Sequence, residues 1–216
     1  FVVIQFSFTV AIVIAAMYIF RKHTHKIIKI WMSIQMWFLG IKLEQDGSMD
    51  DSCDMVIMNH QSLLDIIVIE YIHNRDLAWV GKQEITDLFF FGHIIKAPRM
   101  ISINREDRSG IVTLVKEVED RLSHGRPIAM FPEGTRSRGR GLLPFKTGAF
   151  RTAALANVPI VPICASNQEG TIKLGRWNNG KIIIEFLDPI YILENNPSSA
   201  RNAADQAYTL MKAKIK

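Results

Sequence analysis

The stretch MVIMNHQSLLDIIVIEYI, residues 55–72, changes character at its centre. Met55–Met58 is apolar at every position, as a strand covered on both faces should be. Residues 66–72 form a second apolar run, this one helix-like. Between them stand His60 and Asp65, ionisable groups at a junction that otherwise reads as core. A strand that ends where a helix begins is the unit of an α/β fold, and ligands in such folds sit beyond the carboxyl ends of the strands. His60 falls at such an end.

On one continuous helix, residues five apart point about 140° from each other at roughly 100° per residue. His60 and Asp65 therefore meet only if His60 lies in the turn before the helix and Asp65 in its first turn. Ser62 is a plausible N-cap and supports that break. Asp65 would then hold one imidazole nitrogen and leave the other free as a base. The same residues also read as a capping box, Ser62-Leu-Leu-Asp65, with an acid suited to the helix dipole. From this stretch alone both readings stand.

The alternation continues outward. Strand-like runs fall at 53–58, 77–80, 100–103, 128–131, 160–165 and 181–186, with helical patterns at 62–72, 108–124, 147–157 and 200–212. The expected fold is α/β, a largely parallel central sheet flanked by helices, over residues 42–216. Pro159 and Pro162 in VPIVPI point to an edge, a strand start or a bulge.

Residues 1–41 read differently, as an N-terminal membrane-associated helical pair. Residues 1–20 carry no charge, and as a helix of about 30 Å they would be long enough to cross a bilayer. Arg21, Lys22, Lys26 and Lys29 follow at once, which for a spanning helix puts the rest of the chain in the cytoplasm. Ile27, Ile30, Trp31, Ile34, Phe38 and Ile41 then recur at helical spacing opposite Lys26, Lys29 and Ser33, the pattern of an interfacial helix. Both helices lying in one leaflet is the alternative.

Composition agrees with a lipid-facing protein. The 216 residues are 48% hydrophobic, with mean hydropathy +0.11 and a formal charge of +5. That charge suits phosphate-bearing partners or an anionic membrane and is too mild for nucleic acid. Cys53 and Cys164 lie at or in apolar runs without metal-binding spacing, and read as buried thiols.

A second chemical stretch is FPEGTRSRGRGLLPFKTGAF, residues 131–150. After a strand end it carries Glu133, Arg136, Arg138, Arg140 and Lys146 among glycines 134, 139 and 141. Arginine forks match phosphate oxygens, and a helix start near Thr147 adds favourable potential. A solvated basic loop is the plain alternative. Arg105, also after a strand end, is a second candidate for the same anion, with a surface salt bridge to Glu106 or Asp107 as the plain alternative.

With these stretches together, the chain resembles the glycerophospholipid acyltransferases, and within them the 1-acylglycerol-3-phosphate O-acyltransferases. NHQSLLD looks like their H-x-x-x-x-D block, FPEGTRSR like their phosphate-site block, Phe145-Lys146-x-Gly148-Ala149-Phe150 like its continuation, and VPIVPI like a later block. Their second block, G-x-x-F-I-x-R, is matched here only at Ile103 and Arg105, with Arg99 for the glycine and Ser102 for the phenylalanine. The resemblance implies acyl transfer from a thioester to a glycerol hydroxyl, with His60 as base and Asp65 as its orienting acid. It places Arg105, Glu133, Gly134, Thr135, Arg136, Arg138 and Lys146 in the acceptor-phosphate region. The implied partners are lysophosphatidic acid, acyl-CoA or acyl-carrier protein, and membrane lipids; no metal or organic cofactor is implied. An acyltransferase for another lysolipid or glycerol 3-phosphate, a lipid or thioester hydrolase, and a non-catalytic module for anionic lipid are the rival readings.

Overall fold

The computed structural model describes residues 2–48, 53–104, 110–138, 140–166 and 180–215. In chain order the elements are α1 (Val2–Ile19), α2 (Thr24–Leu39), β1 (Lys42–Asp46), β2 (Met55–Met58), α3 (Leu64–Ile72), β3 (Ala78–Lys82), α4 (Gln83–Thr86), α5 (His93–Lys96), β4 (Ile101–Ile103), α6 (Gly110–Ser123), β5 (Ile128–Met130), α7 (Gly148–Ala156), β6 (Ile160–Ser166), β7 (Lys181–Phe186) and α8 (Pro197–Lys214). The strands form a seven-stranded sheet in the order β1-β7-β6-β2-β5-β3-β4. The five from β6 to β4 are parallel, while β7 runs against β6 and carries β1 alongside it. The largely parallel sheet expected from the sequence is present.

Strand β2 shows why both faces are covered. Val56 and Met58 join one core cluster with α1, α2 and α3, and Met55 and Ile57 join another with α6, α7 and α8. A period of two with apolar residues at every position demands helices on both sides. Pro162 is tolerated inside the sheet for a local reason. Its carbonyl, on the side of β7, accepts Leu187 N–H at 2.9 Å, and the ladder to β7 starts only at Ile163. The missing N–H thus faces the end of that ladder.

The N-terminal segment forms the expected helical pair, sharply bent between its two helices. Among the described residues no single helix is long and apolar enough to cross a membrane; α1 and α2 pass such a test only as a pair bent by 116° at a break. Part of the apolar surface is committed to protein: Val10, Val13, Ile14 and Met17 of α1 and Ile28, Trp31, Met32, Met36 and Leu39 of α2 are buried in the cluster shared with the sheet. The remainder is exposed in stripes, Ile4, Phe8, Ile12 and Ile19 on α1 and Ile30, Ile34 and Trp37 on α2. Trp31, placed on the lipid side from sequence, is on the core side.

Past the end of β2, Asn59 is buried and pairs with the backbone of Ala165, accepting its N–H at 2.8 Å and donating to its carbonyl at 2.9 Å. The side chain thereby continues the β2–β6 ladder beyond the last backbone pair. Asn59→Ala leaves two buried backbone groups unpaired and should cost about 2–4 kcal/mol, read as a lower denaturation midpoint in urea.

Candidate active site

The β2–α3 junction folds as the spacing requires. Residues 59–63 are not helical and α3 starts at Leu64. Asp65 is fully buried, and its Oδ2 accepts three hydrogen bonds: from His60 Nδ1 at 2.7 Å, Gln61 N–H at 2.7 Å and Ser62 N–H at 2.9 Å. The capping and dyad readings are both realised, since one oxygen closes the turn and holds the imidazole. Ser62 is not the N-cap that the sequence suggested, a position taken by Leu63; its Oγ accepts Leu64 N–H at 3.1 Å. A carboxylate accepts and does not donate, so His60 carries its proton on Nδ1, leaving Nε2 as a lone-pair acceptor.

The loop after β5 fixes His60 from its other side. Glu133 is buried; Oε1 accepts His60 N–H at 2.6 Å and Oε2 accepts Leu143 N–H at 2.8 Å. Ser137 N–H donates to the His60 carbonyl at 2.7 Å. The imidazole stacks on Phe131, with centroids 3.7 Å apart and planes 11° off parallel, and Phe131 in turn stacks on Trp79 at 5.0 Å. Both main-chain polar groups of His60, one ring nitrogen and one ring face are therefore held.

The ring lines a cavity of about 510 Å³. Gly134, Thr135, Arg136 and Arg138 line it as well, so the structure brings these four together with His60. Gly134 at φ 72° and Arg138 at φ 52° turn the loop through left-handed backbone, which gathers the polar groups at the strand ends. Two expected residues lie elsewhere. Glu133 is engaged with backbone amides and Lys146 is exposed, and neither lines the cavity. Arg105 lies outside the described residues. Lys82, at the end of β3, is a cavity-lining cation that sequence reading passed over. Its signal was its place after the run AWV, at the same sheet end as His60.

Away from the polar mouth the walls are apolar. Phe6 of α1, Ile28, Trp31 and Met32 of α2, and Ile94 and Ile95 near α5 contribute to them. Segment 83–97 folds back tightly enough that a Cβ on Gly92 would lie 2.1 Å from the Thr86 carbonyl oxygen. Glu70 is the exception in this wall. It accepts the Trp79 indole N–H at 2.6 Å, and burial pushes its carboxyl up to about 7.

A parallel sheet with a strand-end histidine–carboxylate pair, opening on an arginine-bearing cavity, defines an enzyme site of the α/β class. The family model described as Acyltransferase matches residues 50–166, just over half of the chain, and the chain belongs to that family. Among its relatives, the 1-acyl-sn-glycerol-3-phosphate acyltransferase of Haemophilus influenzae is 36% identical over 192 residues, covering 84% of this chain and 80% of that protein. The protein of the same name from Escherichia coli is 39% identical over 160 residues, covering 74% of this chain and 65% of that one. The crystal structure of the 1-acyl-sn-glycerophosphate (LPA) acyltransferase PlsC from Thermotoga maritima superposes with a TM-score of 0.69, covering 90% of this chain and 79% of that one. At 24% identity this last likeness speaks to the fold.

Burial also pushes the Glu133 carboxyl up to about 7. An acid whose folded pKa exceeds its unfolded value keeps its proton in the folded state while the unfolded chain has lost it. Stability therefore falls as pH rises from about 4.5 to 7, by up to roughly 1.4 kcal/mol per pH unit for each such group. Glu70→Gln should remove one of the two contributions, and melting temperature against pH should be flatter over that window than in the wild type.

Proposed function

We propose that the chain transfers an acyl chain from an acyl thioester to the free hydroxyl of 1-acylglycerol 3-phosphate, making phosphatidic acid. The observation that carries this reading is the His60 Nδ1–Asp65 Oδ2 contact at 2.7 Å on a cavity that Arg136 and Arg138 also line. A base and an anion-binding group on one cavity fit an acceptor that carries both a hydroxyl and a phosphate.

In this mechanism the acceptor phosphate is held by Arg136 and Arg138, with Arg105 as a further cation. The hydroxyl lies within about 2.6–3.2 Å of His60 Nε2. His60 takes its proton as the oxygen attacks the thioester carbonyl, and Asp65 stabilises the imidazolium. The carbon–oxygen bond forms, the carbon–sulfur bond breaks, and the departing thiolate takes the proton back from His60. Glu133 positions the base by holding its backbone. The apolar wall receives acyl chain, and its size lies within the range of ligand-sized cavities. The donor is acyl-CoA or acyl-carrier protein. The exposed stripes of α1 and α2 rest in the lipid interface, and the basic residues after α1 place the domain on an anionic cytoplasmic leaflet.

One assay tests the reaction: a labelled acyl thioester offered with 1-acylglycerol 3-phosphate, glycerol 3-phosphate or water. Phosphatidic acid as the main product supports the proposal, and free fatty acid formed without dependence on acceptor sinks it in favour of a hydrolase. His60→Ala should lower kcat by at least about a hundredfold while the variant still unfolds cooperatively, with a melting temperature lowered by the loss of one donor to Asp65. Arg136→Ala should raise KM for the phosphorylated acceptor about tenfold or more with little change in donor KM.

A further inference from the structure

At the opposite end of the sheet from His60, where β3, β4 and β5 begin, lies a second concavity of about 440 Å³. It is lined by six cations, Arg21, Lys22, Lys96, Arg99, Arg121 and Arg126, against two carboxylates, Asp76 and Asp120. The carboxylates are already engaged: Asp76 pairs with Arg126 at 2.8 Å, and Asp120 with Arg121. Arg121 Nε and Arg126 Nη1 also donate to the Arg99 carbonyl, at 2.9 and 3.2 Å. These two arginines are framework. Arg21, Lys22, Lys96 and Arg99 are exposed, and Lys22, Lys96 and Arg99 have no carboxylate partner among the described residues.

Helix-end electrostatics account for part of this. Arg21 and Lys22 follow the C-terminus of α1, where the dipole favours cations. That does not explain why cations from three separate segments converge on one hollow, where like charges repel. Nor does it explain Arg99, whose φ is 54°. Left-handed backbone strains any residue with a side chain and leaves glycine unstrained. The position holds an arginine all the same, and that side chain lines the hollow.

The surroundings indicate the ligand. The exposed stripe of α1 ends in Ile19 and Phe20, 71% and 57% exposed, immediately before Arg21. Phe6 of the same helix lines the His60 cavity and Met17 lines the basic hollow, roughly 16 Å apart along the axis at about 1.5 Å per residue. Exposed Ile19 and Phe20 placed directly before Arg21 and Lys22 of the hollow match the boundary between acyl chains and phosphates.

We propose that this hollow is a second phosphate site, one that takes the phosphodiester headgroup of an anionic membrane lipid and thereby seats the C-terminal end of α1 on the bilayer. It lies apart from the His60 cavity and does not rest on the acyl-transfer reading. The test is co-sedimentation of the full chain with phosphatidylcholine vesicles and with vesicles containing one-third phosphatidylglycerol. Arg99→Gly, and separately Lys22→Ala with Lys96→Ala, should lose the preference for anionic vesicles, by about fivefold per cation removed, while binding to neutral vesicles persists. Arg99→Gly should melt no lower than the wild type, which separates charge loss from misfolding. Arg151→Ala with Lys212→Ala removes exposed cations from α7 and α8, which pack on the other face of the sheet. If that control loses as much anionic preference as the hollow variants, binding is diffuse and the proposal fails. Calorimetric titration with inorganic phosphate is the second arm: saturable binding that Arg99→Gly abolishes, without any vesicle preference, would assign the hollow to a soluble phosphate and overturn the lipid source. Acyl transfer assayed in detergent micelles should be unchanged in Arg99→Gly, so a failure here leaves the catalytic proposal standing.

Discussion

The arrangement at the mouth of the sheet depends on one buried oxygen, Asp65 Oδ2. It accepts two backbone amides and an imidazole nitrogen within 2.9 Å. A carboxylate excluded from water must find such donors. Meeting them obliges residues 60–63 to turn instead of extending α3 backwards, and the turn puts His60 at the end of β2. Site geometry and fold are here a single constraint: the contacts that satisfy the buried carboxylate oxygen also set the tautomer and the direction of the imidazole.

Glu133 repeats this logic from the neighbouring strand. Its buried carboxylate joins the backbone of His60 to that of Leu143, while Ser137 N–H closes on the His60 carbonyl. The loop that carries Arg136 and Arg138 is therefore fastened to His60. Because β2 and β5 are hydrogen-bonded neighbours, the two loops leave the sheet side by side, and the spacing between the imidazole and the arginines is set by the sheet. A loop otherwise rich in glycine and charge gains its register from two buried carboxyl oxygens.

Much of this was legible in the sequence, and the failures have physical causes. The strands after residue 53 and the helices α3, α6, α7 and α8 announced themselves because a doubly covered sheet needs unbroken apolar runs and its helices need a 3.6 period, whereas the four-residue α4 and α5 are too short to show one. β1 did not: it reads KLEQD, is largely exposed, and is held by backbone pairing to β7. An edge strand of that kind has no apolar signature to detect. His60, Asp65 and the arginine loop were visible as residue types, but the role of Glu133 was not, because its partners are main-chain amides up to 73 positions away. The Trp79–Phe131–His60 stack escaped for the same reason. The apolar stretch at the N-terminus was read by its length, whereas the break at residues 20–23 and the core that α1 and α2 share with the sheet decide its structure.

That shared core gives the helical pair two functions at once. A helix that only anchors needs one apolar face, yet α2 presents Trp31 and Met32 inward and Ile30, Ile34 and Trp37 outward. The inward residues wall the cavity that holds His60, and the outward ones leave apolar surface facing solvent. An acceptor and a product that are both lipids would otherwise cross water between bilayer and base, at about 0.8 kcal/mol for each methylene exposed. Helices that wall the cavity on one side and expose apolar surface on the other would shorten that crossing, with the polar groups on the sheet and the apolar wall completed by Phe6, Ile28, Trp31 and Met32.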